Sequence, residues 1–129
     1  MSVKEEIKQR YDTFAGQIYK EGGGIRNPYT DISPVVRYFR QRKIETALRL
    51  GGFKRGDRIL EVGSNMGQYT TLLAEKGFSM AGIDLSDKAV EAAKKLSEGL
   101  NFKNIDYFPM DAEDLSTFKD ETFDGVVSF

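Results

Sequence analysis

The chain has 129 residues, 40% of them apolar and 30% charged, with 19 Lys and Arg against 20 Asp and Glu, which is the arithmetic of one globular domain. It contains no cysteine and no histidine, which excludes zinc fingers, thiol nucleophiles, Ser-His-Asp triads and His-ligated metals; no metal site and a reducing, cytoplasmic setting are expected. No apolar run approaches the roughly 18 residues of a membrane span, and Met1–Glu6 carries no signal-peptide core, so no membrane partner is expected.

In chain order, the spacing of Val3, Ile7, Tyr11, Phe14 and Ile18 predicts a helix over 3–20, with Tyr11 and Phe14 in the core. Gly22 to Pro34, with three glycines, Asn27-Pro28 and Ser33-Pro34, reads as a mobile connector. Tyr19 and Tyr29 border it as aromatic lid residues. A second helix is expected over 35–50, with Val36, Phe39, Ile44, Ala47, Leu48 and Leu50 on one side, Arg42, Glu45 and Arg49 opposite, and Gly51-Gly52 closing it. Residues 1–52 are thus a helical cap. Residues 1–58 hold 13 Lys and Arg against 7 Asp and Glu, whereas 59–129 hold 6 against 13. The densest basic cluster is Arg37, Arg40, Arg42 and Lys43. It reads either as an RNA-facing helix or, more plainly, as a solvated face, because Glu45 interrupts it and only Tyr38 and Phe39 are interleaved.

Residues 53–129 alternate strands and helices. Strands are expected at 58–62, 78–83, 105–110 and 123–129, the last cut off by the end of the chain, with helices after Gly67 and after a Ser86 cap. That order implies an α/β fold with a Rossmann-like parallel sheet and right-handed crossovers. Chemistry belongs to the turn Glu61-Val62-Gly63-Ser64-Asn65-Met66-Gly67, where Gly63 turns the chain sharply and Gly67 starts a helix close to a ligand. Asp84 and Asp111 end the next two strands on the same edge, where open α/β sheets bind ligands and where the Asp84 carboxylate can accept both ribose hydroxyls.

The dinucleotide fingerprint fails at Asn65 and Gln68. What remains, from about Arg58 onward, resembles the class I S-adenosylmethionine-dependent methyltransferases, with strand order 3-2-1-4 and the two leading helices in the family's place. In that family's first motif, Glu61, Gly63 and Gly67 match the acidic residue and flanking glycines, and Asn65 replaces the middle glycine. Asn tolerates positive φ, so the turn can survive. The resemblance implies S-adenosylmethionine as cofactor, with Gly63 at its methionine part, Ser64, Asn65 and Gly67 among the residues of the binding turn, and Glu61 ordering the loop or reaching the amino group. It further implies Asp84 on the ribose, Leu85 against the adenine, the Asp111 side chain on the exocyclic amine and the Ala112 backbone N–H on a ring nitrogen. No residue is assigned a catalytic role. A small-molecule methyl acceptor is expected from what reads as a fragment; the alternatives are a non-catalytic cofactor-binding or assembly module and an RNA methyltransferase using helix 35–50. The fourth strand has an open edge and one sheet face has only the 111–122 connector for cover. A homodimer through that edge is therefore expected.

Overall fold

Ser2 and Glu5 open the first helix as a reciprocal cap: the Glu5 N–H donates to Ser2 Oγ at 3.3 Å and the Ser2 N–H to the Glu5 carboxylate at 2.6 Å. In the computed structural model, which describes residues 1–21 and 33–129 and the side chains of all of these but 18–21, this helix is α1, Val3–Glu21. The expected connector therefore lies outside the described residues except for Ser33 and Pro34, as does Tyr29 and the side chain of Tyr19. Helix α2, Pro34–Gly51, starts at Ser33, whose hydroxyl accepts the Val36 N–H, with Pro34 supplying the fixed φ of a first turn. It ends at Gly52 in the left-handed region.

The alternating segment gives β1 (Arg58–Val62), α3 (Gln68–Glu75), β2 (Ser79–Asp84), α4 (Asp87–Gly99), β3 (Ile105–Pro109) and β4 (Gly125–Val127). The four strands form one parallel sheet in the order β3-β2-β1-β4, as expected. The fourth strand is shorter than expected: only Gly125–Val127 pair with β1.

Alternation along the strands divides the core. Ile59, Met80 and Val127 face α3 and are joined by Ile44 and Leu48 of α2. Leu60, Ala81 and Ile83 face the other way. The expectation that this second face is left partly bare is corrected at its centre, where those three residues are 1% exposed. Phe118 from the connector and Phe123 just before β4 pack there, in edge-to-face contacts at 5.4 Å (Phe108 with Phe118) and 5.0 Å (Phe118 with Phe123). Val126 stays exposed at 59%.

A second correction concerns α1. Tyr11 and Phe14, expected in the core, are 46% and 48% exposed. The helix is turned by its polar stripe: Lys4, Lys8 and Asp12 recur every four residues and find partners along the carboxyl ends of β2 and β3 and the start of α4, which leaves the apolar stripe outward. Among the described residues no helix is long and apolar enough to cross a membrane.

Candidate functional site

The turn between β1 and α3 is built on positive φ. Gly63 (φ 74°), Asn65 (φ 49°) and Gly67 (φ 83°) all occupy the left-handed region, so Asn65 takes the conformation of the glycine it stands for. The N–H groups of Gly63 and Ser64 both donate to the Ile83 carbonyl at 2.9 Å, fastening the turn to the end of β2. Asp84 completes the fastening: one oxygen accepts the Asn65 N–H at 2.8 Å, the other the Ser86 N–H at 2.9 Å. Each carboxylate oxygen keeps a further acceptor site. Asp84 therefore shapes the loop and still has capacity for hydroxyl donors.

The two glycines do different work. A Cβ at Gly63 would meet nothing within 4 Å, so the turn is open to an incoming group there. A Cβ at Gly67 would collide with the Tyr107 hydroxyl and press on Ala93, so packing by itself already requires glycine here. Within the same turn, Ser64 Oγ and Asn65 Oδ1 are buried without a hydrogen-bond partner. Buried polar atoms are almost always paired, so these two fit a polar ligand lying across the turn. Helix α3 begins without a side-chain cap, leaving first-turn N–H groups for an anionic end of that ligand.

Glu61 does not face this opening. It is 2% exposed beneath α3, where the Thr70 hydroxyl donates to its carboxyl. Burial pushes its pKa up to about 8; the Thr70 hydroxyl opposes the rise and the nearby Asp84 adds to it. Tyr107, on β3, extends the buried polar group: its hydroxyl accepts from Ser97 at 3.4 Å and contacts Thr70, and burial raises it to about 12. Of the two roles open to Glu61, this geometry is that of a residue ordering the loop.

At the next strand ends, Leu85 is half-buried and its carbonyl accepts from Lys8 Nζ at 3.2 Å. Asp111 accepts from Lys4 Nζ at 2.8 Å and from the Glu113 N–H at 2.9 Å; the Lys4 ammonium holds its carboxyl below the usual range. Ala112 is exposed beside it. Asp12 accepts from the Ser86 hydroxyl and from the Lys88 N–H at 3.2 Å. The structure thus brings Gly63, Ser64, Asn65, Asp84 and Leu85 to one edge with Asp111 and Ala112, and lays α1 over it. Thr70, Tyr107, Lys4, Lys8 and Asp12 were missed by reading the sequence; only the four-residue spacing of the last three was a signal for them. Among the described residues no group of three carboxylates could hold a metal ion.

A family of methyltransferase domains matches residues 60–129, 70 of the 129 residues. The chain is 34% identical over 62 residues to a 23S rRNA (uracil(747)-C(5))-methyltransferase of Pyrococcus abyssi, covering 48% of this chain and 15% of that protein. The solved [4+2]-cyclase SpnF superposes with a TM-score of 0.76 at 20% identity, over 97% of this chain and 48% of the cyclase. Coclaurine N-methyltransferase, solved with N-methylheliamine and SAH, gives a TM-score of 0.61 at 18% identity, over 69% and 26%. Those two likenesses are of fold. The chain spans a seventh of the rRNA enzyme's length and at most half of either solved structure. With the domain match covering more than half of the chain and the sheet in the order 3-2-1-4, the chain belongs to the class I S-adenosylmethionine-dependent methyltransferase family.

Proposed function

We propose that the chain binds S-adenosylmethionine along the carboxyl ends of β1, β2 and β3 and serves transfer of its methyl group to a small-molecule acceptor. One observation carries this reading: the turn is open at Gly63 and presents two buried, unpartnered oxygens beside the Asp84 carboxylate. Gly63, Ser64 and Asn65 would hold the methionine part and Asp84 the ribose hydroxyls. Leu85 would pack on the adenine, and Asp111 with the Ala112 N–H would read its edge. Glu61 supports the turn from below through Thr70. Residues 1–52 act as a cap on a cofactor-binding unit at 53–129, with Lys4 and Lys8 drawing α1 over the adenosine edge.

When bound, the cofactor would supply an electrophilic methyl group on a sulfonium, open to an acceptor's lone pair with the C–S pair left on sulfur. Such a displacement needs alignment and exclusion of water more than a reacting side chain. A fixed turn and a covering helix supply both.

The basic helix α2 and the Pyrococcus abyssi relative favour a second reading, an RNA acceptor. A cytoplasmic setting goes with either, the chain having no cysteine and hence no disulfide that an oxidising compartment would have to form. Isothermal titration with S-adenosylmethionine and S-adenosylhomocysteine tests the site: saturable binding of both is expected, weakened at least tenfold by Gly63→Ala and by Asp84→Ala. Equal affinity in both variants would refute the placement. Binding by the wild type with no methyl transfer to amine, carboxylate or RNA acceptors would favour the non-catalytic module.

A further inference from the structure

On the opposite side of β1 from Asp84 lies a cluster that the cofactor reading leaves unused. Arg37 and Arg40 are three residues apart on α2, neighbours on one helix face, and Lys43 follows one turn on. Arg37 Nε and Arg40 Nη1 are buried and have no hydrogen-bond partner. Arg40 and Lys43 stand 5.8 and 5.9 Å from the ring centroid of Tyr69, the second residue of α3. That ring stacks on Phe129 with centroids 4.5 Å apart. The residue before it ties the cluster to the turn: Ser128 Oγ donates to the Val62 carbonyl at 3.0 Å, where β1 runs into Gly63.

An aromatic face attracts a cation but gives its N–H groups no lone pairs, so the contacts with Tyr69 leave the guanidinium donors unsatisfied. Buried N–H donors on a cation are costly unless an acceptor meets them, and an anion meets them best. Among the described residues no carboxylate does so: neither arginine nor Lys43 is in an ion pair, whereas Arg42, in the same run, is bonded to Glu45 at 3.0 Å. The basic run therefore splits into a neutralised outer member, Arg42, and three cations without a carboxylate partner, of which Arg40 and Lys43 flank one ring. A polyanion such as RNA is met by an extended basic stripe, whereas this chain carries a net charge of -1 and a second half rich in carboxylates.

We propose that Arg37, Arg40 and Lys43, the last two beside Tyr69, bind the carboxylate or phosphate of a small anionic methyl acceptor. The assignment of that anion as an acceptor rests on the cofactor reading above. The ribose and adenine residues lie on the β2 and β3 side of the turn and this cluster on the β1 and β4 side, so an anion held here places the rest of its molecule next to the turn.

The test uses benzoate and phenyl phosphate as probes, titrated into the protein saturated with S-adenosylhomocysteine and followed by calorimetry and by the arginine Nε–H signals in NMR. Saturable binding of at least one probe is expected, shifting the Arg37 and Arg40 signals. Its dissociation constant should rise at least tenfold in Arg37→Gln/Arg40→Gln and about threefold in Lys43→Gln. Arg42→Gln should leave it unchanged, and S-adenosylhomocysteine affinity should stay within twofold in all variants. The preferred probe tells a carboxylate from a phosphate acceptor. Shifts reproduced by chloride at equal ionic strength, or probe affinity indifferent to the arginine substitutions, would overturn the site while the cofactor reading stands. An oligouridylate that binds more tightly than either probe and weakens equally in Arg42→Gln and Arg49→Gln would replace it with an RNA-facing helix. Failure of S-adenosylhomocysteine itself to bind would overturn the cofactor reading, and the acceptor assignment with it.

Discussion

At Glu61 a carboxyl group is kept away from water beneath a helix, with one hydroxyl as its donor, and its pKa rises from 4.5 to about 8. The folded chain thus keeps a proton that the unfolded chain loses above pH 4.5. Stability from this group falls as pH climbs from about 4.5 to about 8 and levels beyond, because between those values the native state binds more protons than the unfolded one. Glu61→Gln removes the titration, so urea midpoints measured from pH 5 to 8.5 should decline in the wild type relative to the variant; parallel curves would contradict the account. The neighbouring glycines give a second prediction. Gly67→Ala both strains a φ of 83° and drives a methyl group into the Tyr107 hydroxyl, a loss of about 2 to 4 kcal/mol. Adding Tyr107→Phe should recover the collision part and leave the backbone part, which denaturant melts of the double variant would separate. Asn65→Gly, by contrast, keeps a conformation that suits glycine and retains the N–H bonded to Asp84 but removes the unpartnered Oδ1, so stability should hold while cofactor affinity falls on titration; unchanged affinity would show that this oxygen does not meet the ligand.

At the scale of elements, α1 is held to the carboxyl edge by polar contacts. Its Lys4 bonds Asp111 and Glu113, its Lys8 the Leu85 carbonyl and Asp87, and its Asp12 the start of α4. Such surface contacts are screened by salt and contribute little to global stability. A helix held this way can lift and reseat while the sheet stays folded. Lys4→Gln/Lys8→Gln should therefore leave the melting temperature nearly unchanged while speeding hydrogen exchange of α1 amides and the release of S-adenosylhomocysteine. High salt should mimic the variant. Release rates insensitive to both would show that α1 does not cover the cofactor. Helix α2 is anchored differently, by Ile44 in the main core, and should not respond.

For the whole molecule, a ligand that binds only the folded chain stabilises it by about 2.7 kcal/mol at a hundred times its dissociation constant. Saturating S-adenosylhomocysteine should raise the melting temperature by several degrees, and Asp84→Ala should abolish most of that gain. Assembly through the sheet edge is a further expectation, supported by Val126, which stays 59% exposed on a strand paired on one side only among the described residues. Sedimentation should show a concentration-dependent dimer, and Val126→Lys should shift it to monomer; a single monomeric species at all concentrations would remove the proposal.

The order of elements, the parallel sheet and the glycine turn were legible in the sequence because they are local. A period of two or 3.6, a helix cap such as Ser86 and a glycine or asparagine at positive φ are written within a few neighbouring residues. The positions of Asp84, the last residue of β2, and of Asp111, two residues past β3, follow for the same reason. What only the tertiary structure decided depends on residues far apart in the chain. The rotation of α1 follows from which of its two stripes finds partners, and the polar stripe won because the ends of β2, β3 and α4 offered acceptors and donors to it. Gly67 is glycine because β3 delivers Tyr107 beneath it, and Glu61 is buried because α3 lays Thr70 over it. The pairing of Arg42 and the unsatisfied donors of Arg37 and Arg40 likewise separate only when α2 is set against Tyr69. Sheet register and helix rotation bring such residues together, and neither is encoded in any short window of sequence.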